Sequence, residues 1–273
     1  MSNSVTDEQP LILVADTSSA RTSLALGQGA RLLGQLGIVA NERRSTHLLT
    51  EIDWLLEHIG LRIDQIDAFA VVVGPGSFTG LRVGIATLKG FAHPLKRPMI
   101  ALTALEVIAR ASGPSPCTCV LINAYRGEVF AQLFSIDEQG QVSALSEAVV
   151  ATLSTVLNEV ADFQRRERIN GVLFAGDGVE MNVDAIAACA TTNGQPFLAA
   201  KFLTVARTGW IVQSPLDFLA TDTLHYAYEK LIRGETVGAE QLAAYYIRPA
   251  EAEIKLKLGL LGNKSGTASE TAS

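Results

Sequence analysis

The sequence predicts an α/β fold whose first half is a mixed sheet opened by an antiparallel hairpin. Three observations carry that prediction. Short, β-branched apolar runs at residues 11–15 and 71–73 stop abruptly at turn residues, as strands buried on both faces of a sheet do. Between them, Leu48, Leu49, Ile52, Leu55, Leu56 and Ile59 fall on one helical stripe of 3.6-residue period, and Gly60 follows where a helix should stop. From Val71 to Gly84 the chain then reads as strand, Gly74-Pro75 turn and helix start, with Ser77 or Thr79 able to accept from the helix's first free N–H groups.

Taken in order, strands are predicted at 11–15, ending in Asp16-Thr17-Ser18-Ser19, and at 22–26, with 31–38 pairing as a hairpin across Gly27-Gln28-Gly29. Ser45 or Thr46 opens the first helix. A fourth strand at 67–73 leads into the second helix, and a short fifth strand at 99–101 precedes a third helix at 103–111. Three strands, helix, strand, helix, strand, helix is the half-unit of the actin/Hsp70-like (ASKHA) and sugar-kinase architecture, by analogy of fold. Gly113-Pro114-Ser115-Pro116 marks a boundary between a first subdomain at 10–112 and a second at 117–250. The second should hold strands near 119–122, 128–134 and 171–175, a turn at 123–127 and a helix over 216–232. Residues 1–9 and the Ser/Thr/Gly/Lys-rich 251–273 are expected to be disordered.

Composition excludes several classes of function. With 48% hydrophobic residues among 273 and a mean hydropathy of +0.25, the chain can fill a large core. No run approaches the ~18 apolar residues of a membrane span, and the polar first ten residues do not resemble a secretory leader. Cys117, Cys119 and Cys189 are too few for a disulfide framework and read as reduced, cytosolic thiols. A net charge of −6 disfavours direct nucleic-acid binding, because affinity for phosphates needs the opposite sign.

The glycine-rich turn invites a phosphate-loop reading, but the spacing does not fit. A dinucleotide fingerprint needs glycine at Thr79, and a P-loop needs Lys-Ser/Thr where Leu81-Arg82 stand. A serine elbow fails at Thr79 as well. Gly80, Gly84 and Gly90 each cost about 1 kcal/mol against alanine inside a helix, so some close approach should offset them. Gly80 and Gly84 share a face, serving either a tight contact within the domain or a helix–helix interface. Asp16 is either a phosphate-side carboxylate or a turn cap, and Thr17-Ser18-Ser19 offers no glycine to bring the backbone against a phosphate. His47 and His58 lie eleven residues apart, about 16 Å along a helix axis, too far to share a metal ion. His93 and His225 have no ligand-spaced neighbours in sequence.

Asp16-Thr17-Ser18, His47 and the unbroken Gly74-Pro75-Gly76-Ser77-Phe78-Thr79-Gly80-Leu81-Arg82 resemble the TsaB family, accessory proteins of bacterial N6-threonylcarbamoyladenosine synthesis in tRNA. Asn123–Phe130, Gly176-Asp177-Gly178 and Tyr246-Ile247-Arg248 extend the resemblance over residues 10–250. Asn123 stands where the family pattern has Asp, and Ala244 where it has Pro. The resemblance implies an actin-like, non-catalytic scaffold or activator that pairs with a TsaD-like catalytic paralogue. It also implies a TsaE-like ATPase, ATP and metal held on those partner subunits, tRNA met only through the complex and a cytoplasmic setting without membrane contact, and it leaves a homodimer open when the chain is alone. Any residual nucleotide contact would fall at Asp16, Thr17, Gly176, Asp177 and Gly178. The alternative is a nucleotide-dependent phosphotransferase of the same fold. The expected partner surface is a surplus of apolar and small positions on the two helices at 46–59 and 79–91: His47, Leu48, Leu49, Ile52, Leu55 and Leu56 on one, and Gly80, Leu81, Arg82, Gly84, Ile85 and Leu88 on the other.

Overall fold

The computed structural model describes residues 9–39, 47–200, 208–214 and 219–247. In the first half, β1 (Leu11–Asp16), β2 (Arg21–Gln28) and β3 (Arg31–Val39) form an antiparallel meander. α1 (Leu48–Ile59) and a 3-10 turn at Ile63–Gln65 lead to β4 (Ala68–Gly74), which pairs parallel to β1. α2 (Phe78–Leu95) and β5 (Met99–Thr103) complete a five-stranded sheet in the order β3-β2-β1-β4-β5. α3 (Ala104–Ala111) then crosses to the second half.

That half repeats the plan. β6 (Ser115–Asn123) and β7 (Glu128–Ile136) are antiparallel, and β8 (Val142–Ala144) and β9 (Val149–Thr152) pair with β7. After α4 (Leu153–Glu167), β10 (Gly171–Ala175) pairs parallel to β6, as β4 does to β1. α5 (Asp177–Glu180), α6 (Val183–Thr192), β11 (Phe197–Ala200) and β12 (Gly209–Gln213) extend the sheet, and α7 (Ala220–Ile232) closes the chain of regular elements. Two mixed sheets, each a meander continued by parallel strands, constitute the actin-like α/β architecture.

Three apolar layers hold these sheets. α1 and α2 cover one face of the first sheet, burying Leu48, Ile52, Leu55, Leu56, Ile85 and Leu88 against Leu13, Phe69 and Val71. α4 and α6 cover the outer face of the second sheet, where Cys117 and Cys119 are buried. Burial there pushes the Cys117 thiol up to about 12. The middle layer is shared: α3 and α7 bury Leu105, Val107, Leu224 and Ala227 against Val14 and Val72 of the first sheet and Val120 and Phe134 of the second.

Most predicted elements stand within a few residues of their expected bounds. The second helix runs one turn past 91 and takes Pro94 into its last turn, where the i→i−4 bond that proline cannot make is lost only at the helix end. Ser77, rather than Thr79, accepts from the Gly80 N–H at 3.3 Å. Ser45 and Thr46 lie outside the described residues, as do residues 1–8, the tail from 248 and the 216–218 start of the last predicted helix. One organisational difference is plain. α7 packs on β1, β2 and β5, and Ala239 and Leu242 enter the core of the first sheet, so chain from beyond residue 219 completes the first half. Backbone bonds from Met99 to Val237 and from Tyr245 to Val73 (2.8 Å) fasten it there. An ion-paired seam adds to the docking of α7: Lys230 reaches Glu106 at 3.3 Å, and Arg110 donates to Glu229. Burial alone would raise the Glu106 pKa, but Lys230 and the donors of Thr103 outweigh it and hold the carboxyl below its usual range.

Candidate functional site

In parallel sheets, ligands collect beyond the carboxyl ends of the strands, where loops from neighbouring strands face one another. Here those ends converge from both halves. Asp16 at the end of β1, Pro75-Gly76-Ser77 after β4, Asn123 at the end of β6, Gly176-Asp177 after β10 and Gln213 at the end of β12 line one cleft of about 400 Å³. That volume suits a small molecule.

The loops at this cleft are occupied with themselves. The Ser18 N–H donates to Asp16 Oδ1 at 2.8 Å, forming the turn cap that was one reading of Asp16. The Ser77 N–H donates to the Ser18 carbonyl at 2.6 Å. Across the cleft, the Asn123 N–H donates to Asp177 Oδ1 at 3.0 Å, and the Tyr125 N–H to Asn123 Oδ1 at 2.8 Å. Phosphate loops offer such N–H groups free to an anion; these four are already bonded. Burial pushes the Asp16 carboxyl above its ordinary range despite the Ser18 hydrogen bonds. Desolvation raises Asp177 too, against the pull of the Asn123 donor and the Arg21 charge.

The glycines have a packing reason rather than a phosphate one. A Cβ on Gly80 would lie 2.0 Å from the Thr17 carbonyl oxygen, and one on Gly84 2.3 Å from Thr17 Oγ1. Thr17 Oγ1 donates to the Gly80 carbonyl at 2.8 Å. The second half repeats the device: a Cβ on Gly176 would lie 2.3 Å from the Leu121 carbonyl oxygen, and Gly178 packs on the same residue. In each half, glycine lets the helix after the parallel strand press against the end of the strand beside it. The structure thus brings Asp16, Asp177 and Gly176 together at the cleft, while Thr17 and Gly178 are turned into packing contacts.

The expected surplus on the two helices is corrected by the same packing. Leu48, Ile52, Leu55, Leu56, Gly80, Leu81, Gly84, Ile85 and Leu88 are all buried inside this chain, because α1 and α2 lie flat on the sheet rather than standing on edge. Of the named positions only His47, Leu49 and Arg82 face solvent. Exposed alongside them are Trp54 on α1 and Phe78, Ala86 and Gly90 on α2. Phe78, Arg82, Ala86 and Gly90 recur every four residues and so share one outer face. A Cβ on Gly90 would meet nothing within 4 Å. Arg82 stacks 3.9 Å above the Phe78 ring, and its Nε donates to the Tyr246 hydroxyl at 3.4 Å. His58 is held by Trp54 through ring stacking and a 2.8 Å contact to its carbonyl, and His93 lies 3.8 Å from Glu240. Among the described residues, no group of three His, Cys, Asp or Glu is placed to hold a metal ion.

Sequence reasoning passed over Tyr125 as a residue of the cleft, and it passed over Arg21, Glu180 and Gln213 entirely. Tyr125 was hidden because its left-handed backbone (φ 60°) sits on a non-glycine residue. Gln213 ends the short apolar run Gly209–Gln213, where a terminal amide after Trp-Ile-Val was the available signal.

The model of the family described as "TsaD: tRNA N6-adenosine threonylcarbamoyltransferase" matches residues 34–206, more than half the chain. The "tRNA threonylcarbamoyladenosine biosynthesis protein TsaB" of Bacillus subtilis is 25% identical over 89% of this chain and 96% of its own length. The protein of the same name from Haemophilus influenzae is 35% identical over 37% of this chain, and that match spans 42% of its length. A solved structure from Pseudomonas aeruginosa, titled as an uncharacterized protein with similarity to peptidase YEAZ, superposes with a TM-score of 0.69 at 24% identity, covering 88% of this chain and all of that one. No helix among the described residues is long and apolar enough to cross a membrane. The chain belongs to the TsaD threonylcarbamoyltransferase family and is a TsaB-type member of it.

Proposed function

We propose that this chain is the non-catalytic subunit of a tRNA N6-threonylcarbamoyladenosine synthase, pairing with a TsaD-like catalytic paralogue that carries the nucleotide and metal chemistry. The observation that carries this reading is the self-satisfied cleft, where N–H groups of Ser18, Ser77, Asn123 and Tyr125 are bonded internally rather than offered to a phosphate. An anion entering there would have to displace Asp16 and Asp177 from their own loops. That disfavours the phosphotransferase alternative. The TsaB-named relatives support the pathway, and the TsaD family match supports a paralogous partner.

The outer face of α1 and α2 is the proposed partner surface. Leu49, Trp54 and Phe78 supply exposed apolar area, while Ala86 and Gly90 let another helix come near. A second copy of the chain takes this face when the paralogue is absent. A TsaE-like ATPase joins the assembled pair, tRNA is engaged by the complex rather than by this acidic chain, and the work is done in the cytoplasm. The test is titration of the purified chain with Mg-ATP, and assay of threonylcarbamoyl transfer with and without the paralogue. The chain alone should bind no ATP at micromolar concentration and transfer nothing, and transfer should appear on mixing with the paralogue. Robust turnover by the chain alone that is lost in Asp16→Ala would overturn the reading.

A further inference from the structure

We propose that the cleft between the two halves is a binding site for a small organic cation bearing amine or guanidinium groups. Asp16, Asp177 and Glu180 line it against the single guanidinium of Arg21 among the described lining residues. Acidic residues alone would make no site. The decisive neighbour is Gln213, only 6% exposed at the end of β12 and lining the same cleft, whose Oε1 has no hydrogen-bond partner among the described residues. A buried amide without a partner is costly unless a ligand or water completes it, and an acceptor calls for a donor. Ammonium and guanidinium groups are donors only, so one ligand class answers both the carboxylates and the open acceptor.

Other ligand classes fit less well. Anions meet loops whose N–H groups are already bonded to Asp16, Asp177 and Asn123. A metal ion would need ligands gathered at one point, and no such group exists among the described residues. The acids instead come from both halves of the chain, Asp16 at the end of β1 and Asp177 and Glu180 on α5, suiting an extended cation with charge at both ends. Tyr125 adds a face for it. This side chain is 74% exposed at the cleft, on backbone held in the left-handed region (φ 60°) by the Asn123 side chain. Rings so placed attract guanidinium planes.

Agmatine, with a guanidinium at one end and an amine at the other, is the probe. Isothermal titration of the full chain at ~0.15 M salt, which screens the diffuse attraction of a −6 chain, should show one saturable site. Asp177→Asn keeps an acceptor for the Asn123 N–H and removes the charge, and it should weaken binding by about tenfold, the loss of one charge-assisted bond. Gln213→Leu should weaken agmatine binding while leaving the melting temperature unchanged or higher, because it removes an unpaired amide. A purely structural glutamine would not separate those two readings. Circular dichroism establishes that both variants fold. Absence of saturable binding at millimolar agmatine overturns the proposal, as does wild-type affinity in both folded variants or displacement of agmatine by Mg-ATP.

Discussion

The two faces of α2 carry the same residue type for opposite reasons. On the inner face, Gly80 and Gly84 have no room for a side chain, because Thr17 lies within 2.3 Å of where either Cβ would be. On the outer face, Gly90 looks into open space. The inner glycines fasten a helix to the end of β1 and fix the geometry of the cleft. The outer one fastens nothing among the described residues, yet it still carries the ~1 kcal/mol helix penalty of glycine. A glycine-rich helix in sequence is therefore two statements, about its own core and about what lies outside it.

The sharpest way to break the comparison is Gly80→Leu. Forcing bulk against the backbone of Thr17 should destabilise the fold by about 3 kcal/mol or more, beyond ordinary overpacking, since the obstacle is a carbonyl and not a flexible side chain. A lowered midpoint in thermal or urea unfolding is the readout. Thr17→Val keeps the shape and removes only the hydroxyl that donates to the Gly80 carbonyl. It should cost about 1 kcal/mol in the same unfolding measurement.

Asp16→Asn sharpens the comparison from the loop side. Burial raises the Asp16 pKa, so the folded state favours the neutral carboxyl. Its contribution to stability is fully present below the unfolded value near 3.8 and is lost as pH rises through the folded pKa. Asparagine, neutral at every pH and still able to accept from Ser18, should thus be more stable than wild type at pH 7. The gain should shrink as the pH is lowered toward 4. Unfolding midpoints across that range, wild type against variant, check the sign.

Much of this fold was legible in the sequence, and each part that was not has its own physical reason. Strands ending at Asp16, Val73 and Ala175 announced themselves through apolar runs stopped by turn residues, and the α1 stripe through its period. α4 was missed because its sequence is polar overall, with Asn158, Gln164 and two arginines outweighing the few apolar positions Val156, Leu157, Val160 and Ala161. β8, β9 and β11 are three or four residues long, too short for alternation to show. The cleft was half legible: Asp16 and Gly176-Asp177-Gly178 stood out, whereas Gln213 and Tyr125 became site residues only when the two sheets met. Burial on the helices was the main misjudgement. A wide apolar stripe was read as more than one sheet face could use, but α1 and α2 lie flat and consume it.

The most direct measurement is therefore Gly90→Leu on the outer face. Leucine at an open helix position should leave stability unchanged or raise it by about 0.8 kcal/mol through propensity. It should also place bulk where a partner helix must come close. Size-exclusion chromatography with light scattering, on the variant alone and mixed with the TsaD-like paralogue, reads association while circular dichroism reads the fold. The account predicts a folded, monomeric variant that no longer pairs. A folded variant that pairs as tightly as wild type would contradict it and move the partner surface off α2.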